Sequence, residues 1–153
     1  LKKKLEIKKV AYQHCLDFVS GRLSRLKKQI QEVQESLTSE TKSTAGDKHE
    51  TGRAMVQLER EKLGTQLAET EKMQLVMNRV KPGSQNRLAG MGALIETNGP
   101  YYYIAISSGE VKFENNAIYC ISPATPIGKL LLGKSAGEII SFNGKDFSLL
   151  SIS

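Results

Sequence analysis

A long stretch free of proline, carrying apolar residues at a fixed rhythm, sets the first constraint on this chain. Residues 1–80 contain no Pro, and apolar side chains fall at Tyr12, Leu16, Val19, Leu23, Leu26, Ile30, Val33 and Leu37. The spacings alternate between four and three, which is a heptad seam. A second, less regular helical pattern runs through Val56, Leu63, Leu67, Thr70 and Met77, with Arg60 and Gln74 on the same seam. Between them, Ser39-Glu40-Thr41-Lys42-Ser43-Thr44-Ala45-Gly46 is rich in helix-ending residues. A fold-back near Thr44 and Ala45 sets Tyr12 beside Met77, Leu26 beside Leu63 and Leu37 near Gly52. The two apolar patterns then cover the same length. The sequence thus predicts an antiparallel α-helical coiled-coil hairpin over residues 1–80, with its tip near 43–50. Because each helix finds its partner in the same chain, a monomer is expected. Tyr12–Lys42 would make a helix of about 46 Å. A rod so thin serves either generic dimerisation or reach.

Residues 81–153 read differently. Lys81-Pro82-Gly83-Ser84 closes the second helix. Asn98-Gly99 and Asn143-Gly144 are hairpin signals. The first joins residues 92–97 to 101–107, and the second joins 138–142 to 146–152. A further strand is expected over 117–121. Thr125-Pro126 reads as a helix cap and first helical position, and Gly133 as a stop. The expectation is a small antiparallel sheet crossed by one short helix, so that the whole chain is α+β. The run Tyr101-Tyr102-Tyr103 is read as sheet packing rather than a ligand site.

Charge is distributed unevenly. Residues 1–83 carry 17 Lys and Arg against 11 Asp and Glu, residues 84–153 carry 5 against 5, and the net charge is +6. The excess therefore sits wholly in the first half, which favours an anionic partner. For any single Lys, a solvated helix face is at least as common. Cys15 and Cys120 form no CxxC and no zinc spacing, so they read as two semi-buried thiols in a reducing compartment. The first residues have charge without an apolar run behind them, and no stretch has the length to span a membrane. A cytoplasmic protein without a membrane partner is expected.

Two segments resemble the Gre family of bacterial transcription elongation factors. The first, Gly46-Asp47-Lys48-His49-Glu50-Thr51-Gly52-Arg53-Ala54, is similar to the family's Gly-Asp-x-x-Glu-Asn-x-x-Tyr at the coiled-coil tip. Thr51 and Ala54 stand where the family has Asn and Tyr. The second runs from Ile121-Ser122-Pro123-Ala124-Thr125-Pro126-Ile127-Gly128-Lys129 to Gly137-Glu138. It is similar to the family's Ile-Ser-x-x-Ser-Pro stretch and the helix and Gly-Lys that follow it. Ala124 occupies a position where the family often has Asp or Asn.

The resemblance implies an FKBP-like second domain, without isomerase activity, that docks on core RNA polymerase at the rim of its secondary channel. The hairpin would enter that channel. There Asp47 and Glu50 would help the polymerase, which is the enzyme, cleave the 3′ end of backtracked nascent RNA. The turn Ser122, Pro123, Ala124, Thr125 and Pro126 would contact the polymerase, and Arg22 and Arg25 would add a salt-sensitive contact to polymerase or RNA. Two carboxylates three residues apart can share one Mg²⁺. They make no complete cage, so the ion would be shared with the polymerase active site and no cofactor is expected on the protein alone. The same Asp47-x-x-Glu50 spacing is also a capping box, and His49 reads as an exposed loop residue. The tip is mixed in charge: Glu40, Asp47 and Glu50 alternate with Lys42, Lys48 and Arg53. A secondary-channel regulator that does not promote cleavage, an FKBP-like isomerase or chaperone, and a structural coiled-coil adaptor are the alternatives. No pocket-forming aromatic set is evident from the sequence.

Overall fold

A computed structural model describes residues 2–42 and 47–153, with side chains described outside residues 40–50. In chain order the elements are α1 (Lys2–Lys42), α2 (Asp47–Arg79), β1 (Leu94–Thr97), β2 (Tyr101–Ile104), β3 (Gly109–Phe113), β4 (Asn116–Ile121), α3 (Pro126–Leu131), β5 (Ile139–Phe142) and β6 (Lys145–Ile152). The fold is α+β: a helical hairpin, a six-stranded sheet and one short helix, as the periodicities predict. α1 starts well before Tyr12 and stays helical through Ser39–Lys42. Among the described residues, no helix is long and apolar enough to cross a membrane.

The chain divides into two compact units, Val19–Gln74 and Leu1–Phe18 with Leu75–Ser153. Within Val19–Gln74, α1 buries Val19 and Leu26 and α2 buries Leu63 and Thr70. These are seam positions, and the seam residues Leu23, Ile30, Val33 and Leu37 are half-buried. Two helices alone can cover only one stripe of each other, which accounts for this partial burial. Thr70 is a polar residue in an apolar seam, and its hydroxyl is satisfied by donating to the Gln66 carbonyl at 2.7 Å.

In the other unit the strand order is β3-β4-β2-β1-β6-β5. Every neighbouring pair is antiparallel except β2 and β4, which run parallel. An all-antiparallel sheet was the expectation. The exception arises because β3 lies outside β4, so the chain crosses over before β4 returns beside β2. β3 leads into β4 through a turn at Glu114, whose φ is +56°. That turn has no Asn-Gly pair to announce it.

Both faces of this sheet are covered. On one, Ile95, Tyr102, Ile104, Ile140 and Leu149 pack with Ile127 and Leu131 of α3 and with Ala89 and Ala93. Strand alternation sends Tyr103 to the opposite face, together with its register partners Leu94 and Cys120. There the first turns of α1 lie against the strands: Ile7, Ala11 and Cys15 are each 0% exposed. These three residues form a stripe of i, i+4 spacing, distinct from the heptad seam. A central strand buried on two sides explains why all four residues of Tyr101–Ile104 are buried. The tyrosine run is sheet packing, as expected.

The two Asn-Gly pairs fold differently. Asn143 and Gly144 have φ of +51° and +76°, the mirror-image turn that suits a two-residue hairpin between Phe142 and Lys145. Asn98 and Gly99 do not adopt positive φ. Here the β1–β2 ladder closes at Glu96 and Tyr101, leaving four residues in the loop. Thr97 holds that loop, its hydroxyl donating to the Pro100 carbonyl at 2.6 Å and accepting from the Gly99 amide at 2.9 Å.

Candidate functional site

Asp47 opens α2 and Glu50 follows within its first turn. Their side chains lie outside the described residues, as do residues 43–46. Below them, Gln34, Leu37 and Thr38 of α1 and Arg53, Gln57, Arg60 and Glu61 of α2 line a cleft of about 690 Å³. Leu37 thus faces the first turns of α2 near Arg53, within one residue of the expected pairing. The cleft walls hold two guanidinium groups and one carboxylate. Further along α1, Arg22 is half-buried and Arg25 exposed. Among the described residues, no three His, Cys, Asp or Glu converge to hold a metal ion.

The turn at 122–126 is a small, tightly bonded knot. The Ala124 amide donates to Ser122 Oγ at 3.2 Å, and Thr125 donates to the Ser122 carbonyl from both its amide at 3.2 Å and its hydroxyl at 2.8 Å. The same Thr125 hydroxyl oxygen accepts from the Gly128 amide at 3.1 Å, capping α3, with Pro126 at the first helical position. The Ser122 amide donates to Ser107 Oγ at 3.1 Å, tying the knot to the segment between β2 and β3. Several residues of the resemblance motif therefore have structural tasks. Ala124 and Pro126 are the exposed members of the turn.

Directly beside the turn lies a groove of about 440 Å³ lined by Tyr102, Tyr119, Ile121, Ile127, Phe142 and Phe147, with Pro100, Asn143 and Lys145 at its edge. Ile121 and Ile127 flank the turn on either side, so turn and groove make one continuous surface. The Tyr102 and Tyr119 ring centroids are 5.9 Å apart. Burial, with Tyr119 next to it, raises the Tyr102 pKa, and the Glu110 carboxylate at the Tyr119 hydroxyl raises that of Tyr119. Both phenols stay neutral hydrogen-bonding groups at physiological pH. The sequence reading missed this groove. Its four aromatic side chains come from β2, β4, β5 and β6, and only the strand order brings them together.

The basic first segment is only partly available to a partner. Lys8 is 3% exposed and its Nζ donates to the Ser84 carbonyl at 2.6 Å. Burial lowers its pKa. Lys4 lies 3.5 Å from Glu96. These two cations serve the packing of α1 on the sheet, while Lys2, Lys3 and Lys9 are exposed. No protein-family model matches this chain, and no curated protein matches it significantly.

Proposed function

We propose that this protein is a Gre-type accessory factor of RNA polymerase, docking through the surface made by Ser122–Pro126 and entering the secondary channel with the hairpin. The observation that carries the reading is the joining of the motif turn to an apolar, aromatic-lined groove. A rigid turn with exposed Ala124 and Pro126, next to a 440 Å³ groove, offers a preformed docking face. The hairpin adds reach, with a cleft bearing Arg53 and Arg60 below its tip. The assignment of Asp47 and Glu50 as ligands to a Mg²⁺ shared with the polymerase rests on the motif resemblance and on their spacing at the start of α2.

Two measurements test the reading. Binding of the full chain to core polymerase should weaken at least tenfold in Ala124→Arg, which places a bulky cation on the turn without touching its hydrogen bonds. RNA 3′-fragment release from a backtracked complex should be stimulated by wild type and lost in Asp47→Asn. Asn caps a helix about as well as Asp, whereas Ala costs about 1 kcal/mol, so Asn removes charge and keeps the helix start. Loss of about 3 kcal/mol of transition-state stabilisation slows cleavage on the order of 100-fold. If Asn cleaves like wild type while Ala fails, Asp47 is only a cap. If wild type binds but stimulates nothing, the protein is a non-cleaving channel regulator. The full chain is required throughout, since Ile7, Ala11 and Cys15 cover one face of the sheet.

The groove favours a second reading, a peptide-binding module that takes an apolar or proline-bearing segment between Tyr102, Tyr119, Phe142 and Phe147. Saturable binding of such peptides with no affinity for core polymerase would select it.

A further inference from the structure

The topology brings together two thiols that are 105 residues apart in the chain (120 − 15). Cys15 sits on the stripe of α1 that lies on the sheet, one turn after Ala11. Cys120 sits on β4, on the covered face, in register with Tyr103. They are 0% and 2% exposed, and both are free thiols. The Cys120 thiol reaches the Ala11 carbonyl at 3.9 Å, and Cys15 Sγ lies 3.4 Å from Ser108 Oγ. The Ser108 amide in turn donates to the Cys120 carbonyl at 3.3 Å. Ala11, one turn before Cys15 on α1, and Ser108 thus each touch both cysteine residues or their immediate neighbours. The two thiols therefore share one buried neighbourhood between α1 and β4.

We propose that Cys15 and Cys120 are an intramolecular disulfide site, which a hydroperoxide oxidises and a dithiol reduces, and which fastens the first turns of α1 to β4. The two sulfurs are not equivalent. The Cys120 thiol beside it, with the Ser108 hydroxyl and the Ile106 backbone, holds the Cys15 pKa below its ordinary value against the effect of burial. The same contact, together with burial, raises that of Cys120. Of the two, Cys15 is therefore the more readily ionised, which makes it the attacking sulfur. Its thiolate takes the terminal hydroxyl of the peroxide; the O–O bond breaks, the leaving hydroxide or alkoxide takes up the proton that the Cys15 thiol had lost, and Cys15 becomes a sulfenic acid. The Cys120 sulfur then attacks Cys15 Sγ. The S–O bond breaks, the Cys120 proton leaves with the hydroxide as water, and the disulfide forms. Two thiols are oxidised and one peroxide is reduced. Burial confines the first step to a small oxidant and shields the pair from bulky disulfide reagents.

The test treats the native full chain with hydrogen peroxide and maps its peptides without reduction. The expected product is a monomer lighter by two hydrogens, with the Cys15 and Cys120 peptides joined. No free thiol titrates after unfolding, and dithiothreitol restores both. Closing so long a loop raises the thermal midpoint by about 10 °C. In Cys120→Ala, the two-hydrogen loss and the joined peptides are both absent. Two free thiols after peroxide, a disulfide-linked dimer, or sulfinic acid on either residue in place of the bridge would overturn the proposal. Because the wild-type mapping needs no variant, a failure of Cys120→Ala to fold does not protect it.

Discussion

Gly128 lies so close to Ser122 that a β-carbon built on it would sit 2.3 Å from the Ser122 carbonyl oxygen and 2.8 Å from Thr125 Oγ1. Backbone cannot yield at that distance without undoing the knot that caps α3. Gly128→Ala should therefore destabilise the protein by about 3 kcal/mol, read as a lower urea midpoint. Under the proposed docking, it should weaken polymerase binding along with stability. An alanine variant of wild-type stability would mean that the turn is looser than its hydrogen bonds imply.

Tyr103 is 0% exposed, and its hydroxyl finds no hydrogen-bond partner among the described residues. Burial, with Cys15, Cys120 and Tyr12 nearby, raises its pKa. Removing an unsatisfied buried hydroxyl while keeping the ring removes a desolvation cost. Tyr103→Phe should therefore hold or gain stability, by about 1 kcal/mol. A clear loss in equilibrium unfolding would show that the hydroxyl makes an interaction.

Glu96 joins the sheet to α1. Burial works against its carboxylate, but hydrogen bonds from the Tyr101 and Ser151 hydroxyls, both at 3.1 Å, and the Lys4 ammonium outweigh it and lower the pKa. A carboxyl with a depressed folded pKa contributes stability that is fully present above its unfolded value and is lost as pH falls through the folded one. Stability should thus drop below about pH 4.5, the ordinary carboxylate range. Glu96→Gln should flatten that limb of the curve while lowering stability at neutral pH. Unfolding midpoints measured from pH 3 to pH 7, about the range of the transition, decide it; parallel curves for the two proteins would refute the assignment.

The two Asn-Gly turns should respond differently to the same change. Gly144 has φ +76° with open space around it, so Gly144→Ala should cost about 1 kcal/mol through backbone strain alone. Gly99 lacks that strain, but a β-carbon there would sit 3.1 Å from the Phe147 ring. Gly99→Ala should therefore displace the resonances of the groove aromatics, and Gly144→Ala should leave them in place.

What the residues disclosed in advance was whatever obeys a local period or a local turn rule. The 12-to-37 seam, the Thr125-Pro126 cap and the Asn143-Gly144 hairpin are of this kind. The rest depends on long-range pairing. The parallel β2–β4 pair, the four aromatic walls of the groove and the neighbourhood that Cys15 and Cys120 share at Ser108 and Ala11 join residues far apart in sequence. β3 escaped notice because Glu114 takes a left-handed conformation that its side chain does not advertise. The second stripe on α1, Ile7-Ala11-Cys15, was masked by the stronger seam that begins one residue after Ala11. Of the candidate site, the turn at 122–126 was legible, the groove beside it was not, and the side chains of Asp47 and Glu50 lie outside the described residues.

Ile7, Ala11 and Cys15 cover a sheet whose last strand ends at Ile152. The earliest and latest residues of this stretch thus belong to one compact body, with Val19–Gln74 interposed. During vectorial synthesis, the leading turns of α1 must wait for the whole sheet to leave the ribosome before their apolar stripe finds its seat. Long-range closure of this kind folds slowly. The nascent chain therefore carries an uncovered stripe from the synthesis of Cys15 until β6 has emerged, and a holdase that binds apolar helical segments would meet it in that interval.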